Sequence, residues 1–422
     1  MTDQDSSLIA PLDVWECRRQ FPALSKRENG LPVTFFDGAA GTQVPHAVLD
    51  AVVRYLVETN ANHGGTFVTS RESDALLISA RMALADFLGT ADPDTIVFGA
   101  NMTTLTFAFS RAISRTWKPG DEILLTRLEH DADFTPWVRA AEDAGVRVQV
   151  ADIIPEEGTL DMADFVGKLS PRTRLVAVTA ASNAIGTLTP IEEIVRQAHA
   201  AGALVFVDAV HYAPHRCIDV DGWGVDFLVC SGYKFFAPHV GILWGRRSLL
   251  ESLPAYKVRP APNGIPDRWM TGTQNHEGIA GVEAAIEYLA ELGRRCAPHA
   301  AGRRAALQAA FDAVARHEHG LTAALLQDLA DCPGIRVWGI RDADPNRRVP
   351  TVALTHDRLR ACELAEYLAA RSICTWHGNF YAVPLTEALG VEPEGLLRIS
   401  MVHYNTHEEV SRLTAALREL DP

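Results

Sequence analysis

Residues 203–246 read ALVFVDAVHYAPHRCIDVDGWGVDFLVCSGYKFFAPHVGILWGR and give the clearest indication of the fold class. This stretch contains three predicted strands, at 203–210, 225–232 and 241–246, in which most hydrophobic residues follow one another instead of alternating with polar ones. A strand that is apolar on both faces is typical of a mostly parallel sheet covered by helices on both sides. The stretch therefore predicts the centre of an α/β sheet.

The chain on the amino-terminal side of this stretch continues the same pattern. Four further strands are predicted, at 95–100, 121–126, 146–152 and 174–182. Helical patterns precede or separate them, at 45–58, 73–89, 135–145 and 191–202. Strand–helix alternation predicts βαβ units with right-handed crossovers. The expected fold is thus a mostly parallel seven-stranded sheet flanked by helices.

The pattern changes after about residue 280. Long helices are followed by shorter strands predicted at 335–340, 351–356 and 396–405, which is typical of a smaller α+β domain. We predict three parts: an N-terminal segment, 1–30, that packs on the small domain; a large domain, 31–285; and a small C-terminal domain, 286–422. The loop 260–268 is expected between the two domains.

Composition excludes several classes of protein. The 422 residues carry a net charge of −14, so no basic surface for nucleic acid is expected. No run of about 18 apolar residues predicts a membrane span, and the acidic start lacks the features of a secretory signal. The seven cysteines form no C-x-x-C pair, which argues against a disulfide framework or a metal site. We expect a cytoplasmic protein without nucleic-acid or membrane partners.

Polar residues follow the predicted strands at their carboxyl ends, where α/β sheets bind ligands. GANMTT (99–104) opens a helix and could bind an anion; His130, Asn183, Asp208 and Lys234 follow four other strands. Each residue alone also suits a helix cap or a turn. Together they supply an anion site, a flat ring, an amide, an acid and an amine, and this set suits pyridoxal 5'-phosphate (PLP). The chain has only five lysines, and Lys234 alone among them follows an apolar strand.

A family resemblance agrees with this set. The chain resembles the class V, fold-type I PLP-dependent enzymes over nearly its whole length, in the branch of the cysteine desulfurase-like proteins and C–S lyases. The segments that carry the resemblance are FFDGAAGTQVP (35–45), NANHGGTFVTSRESD (60–74), LEHDADFTPW (128–137), SNAIGT (182–187), VDAVHYAPHRCIDV (207–220), SGYKFFAPHVGILWG (231–245) and GTQNHEGIAG (272–281). The large domain would then be the PLP-binding domain.

The resemblance implies a role for each residue around the cofactor ring. Lys234 would bind the cofactor aldehyde as a Schiff base and later move the substrate α-proton. His130 would stack on the pyridine ring, and Asp208 would hold the pyridine nitrogen. Asn183 and His211 would contact the side of the ring that carries the hydroxyl; many desulfurases have Gln at the position of His211.

The resemblance also implies how the phosphate is held. The backbone of Met102 and the side chains of Thr103, Ser231 and Tyr233 would bind it. Tyr233 replaces a His that is common in desulfurases. Thr273 would reach the phosphate of a neighbouring subunit, so the expected assembly is a homodimer with shared active sites.

On the substrate side, Arg398 would bind the carboxylate of an amino acid or thioether as a fork. His63, Ala40 and Asn379 would line the same side. His63 also suits an ordinary loop histidine.

One departure from the family bears on the reaction. Desulfurases carry a loop cysteine that accepts sulfur, but CTWHGNFYAVP (374–384) has none near Asn379 or Phe380. Cys374 lies in a predicted strand and is expected to be inert. The expected reaction is therefore β-elimination from a cysteine S-conjugate, which gives a thiol, pyruvate and ammonia and would suit secondary metabolism. Desulfuration, transamination, epimerisation, decarboxylation-coupled oxidative deamination of an S-cysteinyl thioether and a catalytically quiet scaffold stay open as alternatives.

Overall fold

A computed structural model describes residues 9–420 of the chain. The first eight residues of the predicted N-terminal segment and the last two of the predicted small domain lie outside the described residues. The strands are β1 (Arg27–Glu28), β2 (Leu31–Pro32), β3 (Thr34–Phe35), β4 (Ile96–Gly99), β5 (Glu122–Thr126), β6 (Arg147–Ala151), β7 (Ile153–Ile154), β8 (Thr159–Leu160), β9 (Thr173–Thr179), β10 (Leu204–Asp208), β11 (Phe227–Ser231), β12 (Gly241–Gly245), β13 (Ile335–Trp338), β14 (Thr351–His356), β15 (Ile373–Cys374), β16 (Trp376–Gly378) and β17 (Leu396–Ser400).

The α-helices are α1 (Val14–Arg19), α2 (His46–Arg54), α3 (Val68–Leu88), α4 (Met102–Ser114), α5 (Thr135–Ala144), α6 (Met162–Lys168), α7 (Ile191–Ala200), α8 (Val220–Trp223), α9 (Arg247–Ser252), α10 (His276–Cys296), α11 (Gly302–Ala330), α12 (Ala361–Ala369), α13 (Val383–Ala388) and α14 (His407–Arg418). In the part of the chain that is described, no helix is long and apolar enough to cross a membrane.

The large sheet has seven strands in the order β4-β12-β11-β10-β9-β5-β6. Strand β12 is antiparallel to both of its neighbours, and the other neighbouring strands pair in parallel. The predicted mostly parallel seven-stranded α/β sheet is therefore confirmed, and each of its seven strands lies where the sequence predicts a strand.

Burial on both faces explains the continuous apolar runs. In β11, Leu228 and Cys230 belong to one hydrophobic cluster, whereas Phe227 and Val229 belong to another on the opposite face. Helices α3, α7 and α10 contribute to the first cluster, and α4 and α5 contribute to the second. Because both faces of the strand are covered, no position along it favours a polar side chain.

The C-terminal part forms a second sheet, in the order β13-β14-β17-β16, with antiparallel pairing. A separate hydrophobic cluster joins this sheet to α11, α12 and α14. Helix α10 runs without interruption through the predicted domain boundary at 285–286, so the division into domains stays a prediction. N-terminal Arg18 forms an ion pair of 3.0 Å with Glu409 in α14.

Two short connections bring the C-terminal sheet to the edge of the large one. Strand β3 pairs in parallel with β15, and Asp37 forms a β-bridge with Ser400 at the end of β17. These connections place the FFDGAAG segment between the two sheets. The carboxyl ends of β5, β9, β10 and β11 meet at the same edge.

Candidate active site

A cavity of about 610 Å³ lies at this carboxyl edge. Nine of the ten residues predicted to bind the cofactor line it: Met102, Thr103, His130, Asn183, Asp208, His211, Ser231, Tyr233 and Lys234. The tenth, Thr273, does not. The structure thus brings together residues that lie more than 130 positions apart in the sequence.

Lys234 lies in a 3-10 turn, Gly232–Lys234, directly after β11. Its Nζ donates to the carbonyl oxygens of Ala39 and Ala40, the latter at 3.1 Å, and lies 4.8 Å from the centre of the Tyr233 ring. Burial, followed by the charge of Arg398, lowers the pKa of Lys234 to about 7, although Asp208 and Asp37 oppose the shift. A substantial fraction of this amine is therefore neutral near pH 7, as attack on an aldehyde requires.

Asp208 ends β10 and is 3 % exposed. Its Oδ1 accepts a hydrogen bond of 2.8 Å from the backbone N–H of Val210. Burial raises the pKa of Asp208 to about 6, while the Val210 hydrogen bond and the charge of Lys234 lower it. A buried acid of this kind needs a cationic partner such as a protonated pyridine nitrogen.

His130 follows β5 and caps the 3-10 turn Asp131–Asp133. Its Nδ1 accepts a hydrogen bond of 3.0 Å from the backbone N–H of Ala132, which assigns the ring proton to Nε2. Burial, then the charges of Lys234 and Arg398, lowers the pKa of His130 to about 4. The ring is thus a neutral, flat surface at the cavity wall, stacked on Tyr381 with 5.7 Å between centroids.

The anion end of the cavity is built by the start of α4. Asn101 Oδ1 caps this helix by accepting from the backbone N–H of Thr104 at 2.9 Å. The backbone N–H of Met102 donates to Ser231 Oγ at 3.0 Å, which links the helix to the end of β11. A Cβ at Gly241 would lie 2.5 Å from the carbonyl carbon of Asn101, so glycine at 241 lets this turn pack against β12. The positive end of α4 therefore faces the cavity.

His211 and Asn183, which were predicted to contact the hydroxyl side of the ring, both line the cavity. His211 Nε2 is 2.9 Å from Thr351 Oγ1, which contacts Ser400 Oγ at 2.8 Å. Burial holds the pKa of His211 well below its usual value. Asn183 Nδ2 donates to the carbonyl of Phe380 at 2.9 Å, and Asn183 Oδ1 is buried with no hydrogen-bond partner among the described residues.

An adjoining cavity of about 490 Å³ forms the substrate side. Ala40 and Arg398 line it, as the sequence predicts. Arg398 Nη1 donates to the carbonyl of Asn183 at 2.9 Å, and its guanidinium lies 4.3 Å from the centre of the Phe380 ring. Its Nε is buried without a partner among the described residues, and burial lowers the pKa of Arg398 to about 9. The buried guanidinium of Arg398 therefore has an Nε–H that can donate to an anion.

Three predicted site residues line neither of these two cavities. Asn379 lines neither cavity, and its Oδ1 accepts from the backbone N–H of Tyr381 at 3.1 Å. His63 and Thr273 line a separate cavity of about 680 Å³. Their roles stay predictions, and that of Thr273 needs a second subunit.

Several residues that line the two cavities were not predicted from the sequence: Phe107, His239, Trp376 and Phe380. Asp37, which lines neither cavity, was not predicted either. Asp37 is half-buried; burial raises its pKa, while its own backbone N–H and the charges of Arg398 and Lys234 lower it. In FFDG, Asp37 follows two apolar residues, just as Asp208 follows Phe206 and Val207. The pattern that pointed to Asp208 could therefore also have pointed to Asp37. Tyr233 stacks on His239 at 4.5 Å between ring centroids, a contact with no sequence signal.

Among the described residues no cysteine lines either cavity. Cys374, the thiol nearest in sequence to the loop, pairs with Phe35 in the β15–β3 ladder and is half-buried. Burial raises the pKa of its thiol, and Asp37 raises it further. Cys374 is therefore a poor nucleophile at neutral pH.

The cavity satisfies the chemical requirements of PLP. It has a buried amine for the aldehyde, a buried acid for the pyridine nitrogen, a flat neutral ring and a helix N-terminus for the phosphate. The unpartnered polar atoms of Asn183 and Arg398 fit hydrogen bonds to the cofactor and to a substrate. Fold and site together define a PLP-dependent enzyme of fold type I.

Comparisons with known proteins agree. Residues 34–413 match the model of the Aminotransferase class-V family, and the chain belongs to that family, whose members depend on PLP. It is 32% identical over 418 residues to a cysteine desulfurase of Pectobacterium atrosepticum, which covers 96% of this chain and 97% of that protein. The predicted resemblance to class V, cysteine desulfurase-like enzymes is confirmed.

Solved structures show the same similarity. The apo cysteine desulfurase of Thermococcus onnurineus NA1 superimposes with a TM-score of 0.84 at 26% identity, covering 97% of this chain and 98% of that one. The cysteine desulfurase CsdA of Escherichia coli, in an S-sulfonic acid form, superimposes with a TM-score of 0.81 at 26% identity, covering 96% of this chain and 97% of that one.

Proposed function

We propose that this enzyme cleaves the C–S bond of a cysteine S-conjugate by β-elimination. A proton leaves Cα, the thiolate leaves Cβ and is protonated, and water converts the remaining 2-aminoacrylate to pyruvate and ammonia. PLP, when bound, withdraws electrons from Cα. The observation that supports elimination best is the absence of a thiol among the described residues of either cavity. Elimination needs no enzyme nucleophile at sulfur, whereas persulfide formation does.

In this reaction, Lys234 would transfer the Cα proton and Arg398 would bind the substrate carboxylate. A lysine amine with a pKa of about 7 can hold or release the Cα proton near neutral pH. The free Nε of Arg398 and its remaining guanidinium donors suit the substrate carboxylate. Because Asn183 binds both Arg398 and Phe380, it fixes the carboxylate site relative to the loop above it.

The substrate side favours a thioether larger than free cysteine. Its volume of about 490 Å³ falls within the range of sites for drug-sized ligands. Phe107, Trp376, Phe380 and Tyr381 line it, and Trp376 and Tyr381 are 52% and 71% exposed. Such an aromatic opening suits a flat, apolar substituent on sulfur.

A homodimer would complete the site. Large apolar side chains are exposed along residues 49–82, next to the cavity that Thr273 and His63 line: Leu49, Val53, Leu56, Val57, Phe67, Val68, Ile78 and Met82. Exposed apolar side chains in this number favour burial against a second subunit. In such a dimer, Thr273 would reach the partner's phosphate site. Activity should then fall when the protein is diluted below the dimer dissociation constant.

A substrate panel tests the proposed reaction. PLP-loaded enzyme is given L-cysteine and its S-methyl, S-ethyl, S-phenyl and S-benzyl derivatives, and pyruvate and thiol are measured. We expect equal amounts of both products, with the aromatic thioethers favoured, and a rise in KM for these thioethers in Tyr381→Ala. Tyr256→Ala, at an exposed tyrosine outside both cavities, is the control. Thioethers that yield neither product across the panel would refute the proposal.

Desulfuration is the second candidate, because the relatives are named cysteine desulfurases. It would give alanine from free cysteine, with sulfur passed to an acceptor. Loss of that sulfur release in Cys374→Ala would favour it. Mass spectrometry of the products separates the transaminase, epimerase and decarboxylase outcomes from both.

A further inference from the structure

Two carboxyl groups flank His130 and have no part in the proposed reaction. Glu129 precedes His130, and Asp133 ends the 3-10 turn that His130 caps. Both are 0 % exposed. A buried acid requires compensation by hydrogen bonds, by a cation or by a proton.

The hydrogen bonds to this pair come from neutral donors. Glu129 Oε1 accepts from Thr126 Oγ1 at 2.6 Å, and Asp133 Oδ1 accepts from the Trp137 indole Nε1 at 2.9 Å. The remaining oxygens, Glu129 Oε2 and Asp133 Oδ2, are buried, and no N–H or O–H of any other described residue donates to them. One oxygen of each carboxyl therefore has a donor from outside the pair and the other does not.

The two carboxyl groups lie in hydrogen-bonding contact with each other. Ionised carboxylates only accept hydrogen bonds, so this contact is favourable only when one group carries a proton. Without that proton, two negative charges would adjoin in a region that excludes water.

We propose that Glu129 and Asp133 share a proton and that this protonated pair is the positioning element that holds His130 against the cofactor cavity. The pair clamps the turn from both sides, since Glu129 is bonded to β5 and Asp133 to α5. The same turn contacts the loop above the site, because the backbone N–H of Asp131 donates to the carbonyl of Tyr381 at 2.6 Å. Loss of the proton would push the two carboxylates apart and shift the His130 ring.

The electrostatic surroundings agree with a retained proton. Burial raises the pKa of Glu129 to about 8, and Asp208 adds to the shift. Burial, then Glu129 and Asp208, raises the pKa of Asp133. Around the pair, the charge of Lys234 acts on Asp208, the charge of Asp208 acts on Cys230, and Lys234 and Arg398 act on His130. The proton should stay bound at neutral pH and leave in alkaline solution.

The variant Asp133→Asn tests whether the two carboxyl groups share a proton. The asparagine keeps an oxygen for Trp137 and offers an N–H to Glu129, so the shape and the hydrogen bonds survive while one titrating group is removed. Glu129→Gln does the same from the other side, with its oxygen facing Thr126. Glu142→Gln is the control, because Glu142 is an exposed acid of α5 that pairs with Arg139.

The first readout is the unfolding equilibrium of the apoprotein as a function of pH. A raised folded-state pKa stabilises the protein at low pH, and this stability is lost as pH rises towards about 8. Between pH 5 and pH 8, the ratio of the unfolding constants of wild type and Glu129→Gln should rise about tenfold per pH unit, and the ratio for wild type and Asp133→Asn should also rise with pH. Glu142→Gln should follow wild type.

The second readout concerns the position of His130. In the PLP-loaded protein, the absorbance of the bound cofactor should show an alkaline transition that is absent from Asp133→Asn. Infrared spectra of the apoprotein should show a protonated carboxyl band that both Asp133→Asn and Glu129→Gln remove. Equal pH dependence of unfolding in wild type and Asp133→Asn would overturn the proposal, and Glu129→Gln repeats this comparison if Asp133→Asn fails to fold. The apoprotein readouts do not depend on which bond the enzyme cleaves.

Discussion

Replacing Lys234 by methionine in the apoprotein tests the electrostatics at the centre of the site. The side chain lies deep in the cavity wall, and its ammonium group donates to the backbone carbonyls of Ala39 and Ala40. Methionine has a similar length and no charge. The substitution therefore removes the cost of burying the ammonium group, together with its two hydrogen bonds to backbone carbonyls.

The magnitude follows from the pKa of Lys234, which is about 7 in the folded protein and 10.5 for an unperturbed lysine. A difference of about 3.5 units corresponds to about 5 kcal/mol at roughly 1.4 kcal/mol per unit. Between pH 7 and pH 10.5 the unfolded chain binds a proton that the folded chain has released, so the stability of wild type rises with pH. Below pH 7 both states are protonated and the full cost is present.

Denaturant unfolding of wild type and Lys234→Met at intervals from pH 7 to pH 10 measures this difference. The free energy of unfolding of wild type should rise relative to that of the variant by about 1.4 kcal/mol per pH unit. Lys257→Met, at a lysine in the loop after α9, should follow wild type. A difference between wild type and Lys234→Met that stays constant with pH would refute the assignment of Lys234 as a buried amine that is largely neutral near pH 7.

Two further substitutions test the site and its support. Arg398→Lys keeps the charge but loses the guanidinium fork, so KM for the amino-acid substrate should rise roughly thirtyfold, equivalent to about 2 kcal/mol, with a smaller change in kcat; an unchanged KM in steady-state kinetics would remove Arg398 from the carboxylate site. Glu318→Gln removes the buried partner of His215, 3.1 Å away, and of Arg216, 3.8 Å away, and should lower the free energy of unfolding by about 3 kcal/mol. The exposed control Glu193→Gln should change it by about 0.5 kcal/mol or less, and equal effects in urea unfolding would contradict the structural role of Glu318.

The cofactor side of the site was predictable because its residues end consecutive buried strands. Asp208 ends β10 and Ser231 ends β11, and these strands pair in parallel, so Lys234 had to lie near Asp208 once the strands were recognised. By the same reasoning, His130 was expected just after β5 and Asn183 just after β9, at the same edge of the sheet. Apolar runs of this length are a local signal, and the edge at which parallel strands end is a general property of the fold.

The substrate side was less predictable. Tyr381 stacks on His130 across a long sequence separation, and its contact depends on the β15–β3 pairing and on the loop 379–381, where Phe380 and Tyr381 have φ angles of 57° and 58°. A left-handed backbone at two successive non-glycine residues gives no pattern in the sequence. Asn379 was predicted to line the substrate side; its neighbours Phe380 and Tyr381 line that cavity in this chain, and the role of Asn379 stays a prediction.

The sequence by itself determined the large sheet, the lysine that follows its central strand and the polar residues at its carboxyl edge, because strand burial and strand order act through neighbouring residues. Only the tertiary structure decided which side chains cover that edge, how Arg398 is held and that Glu129 and Asp133 lie in contact. Those features arise where separate elements pack together, and the energy of such a contact depends on distances that no stretch of sequence contains.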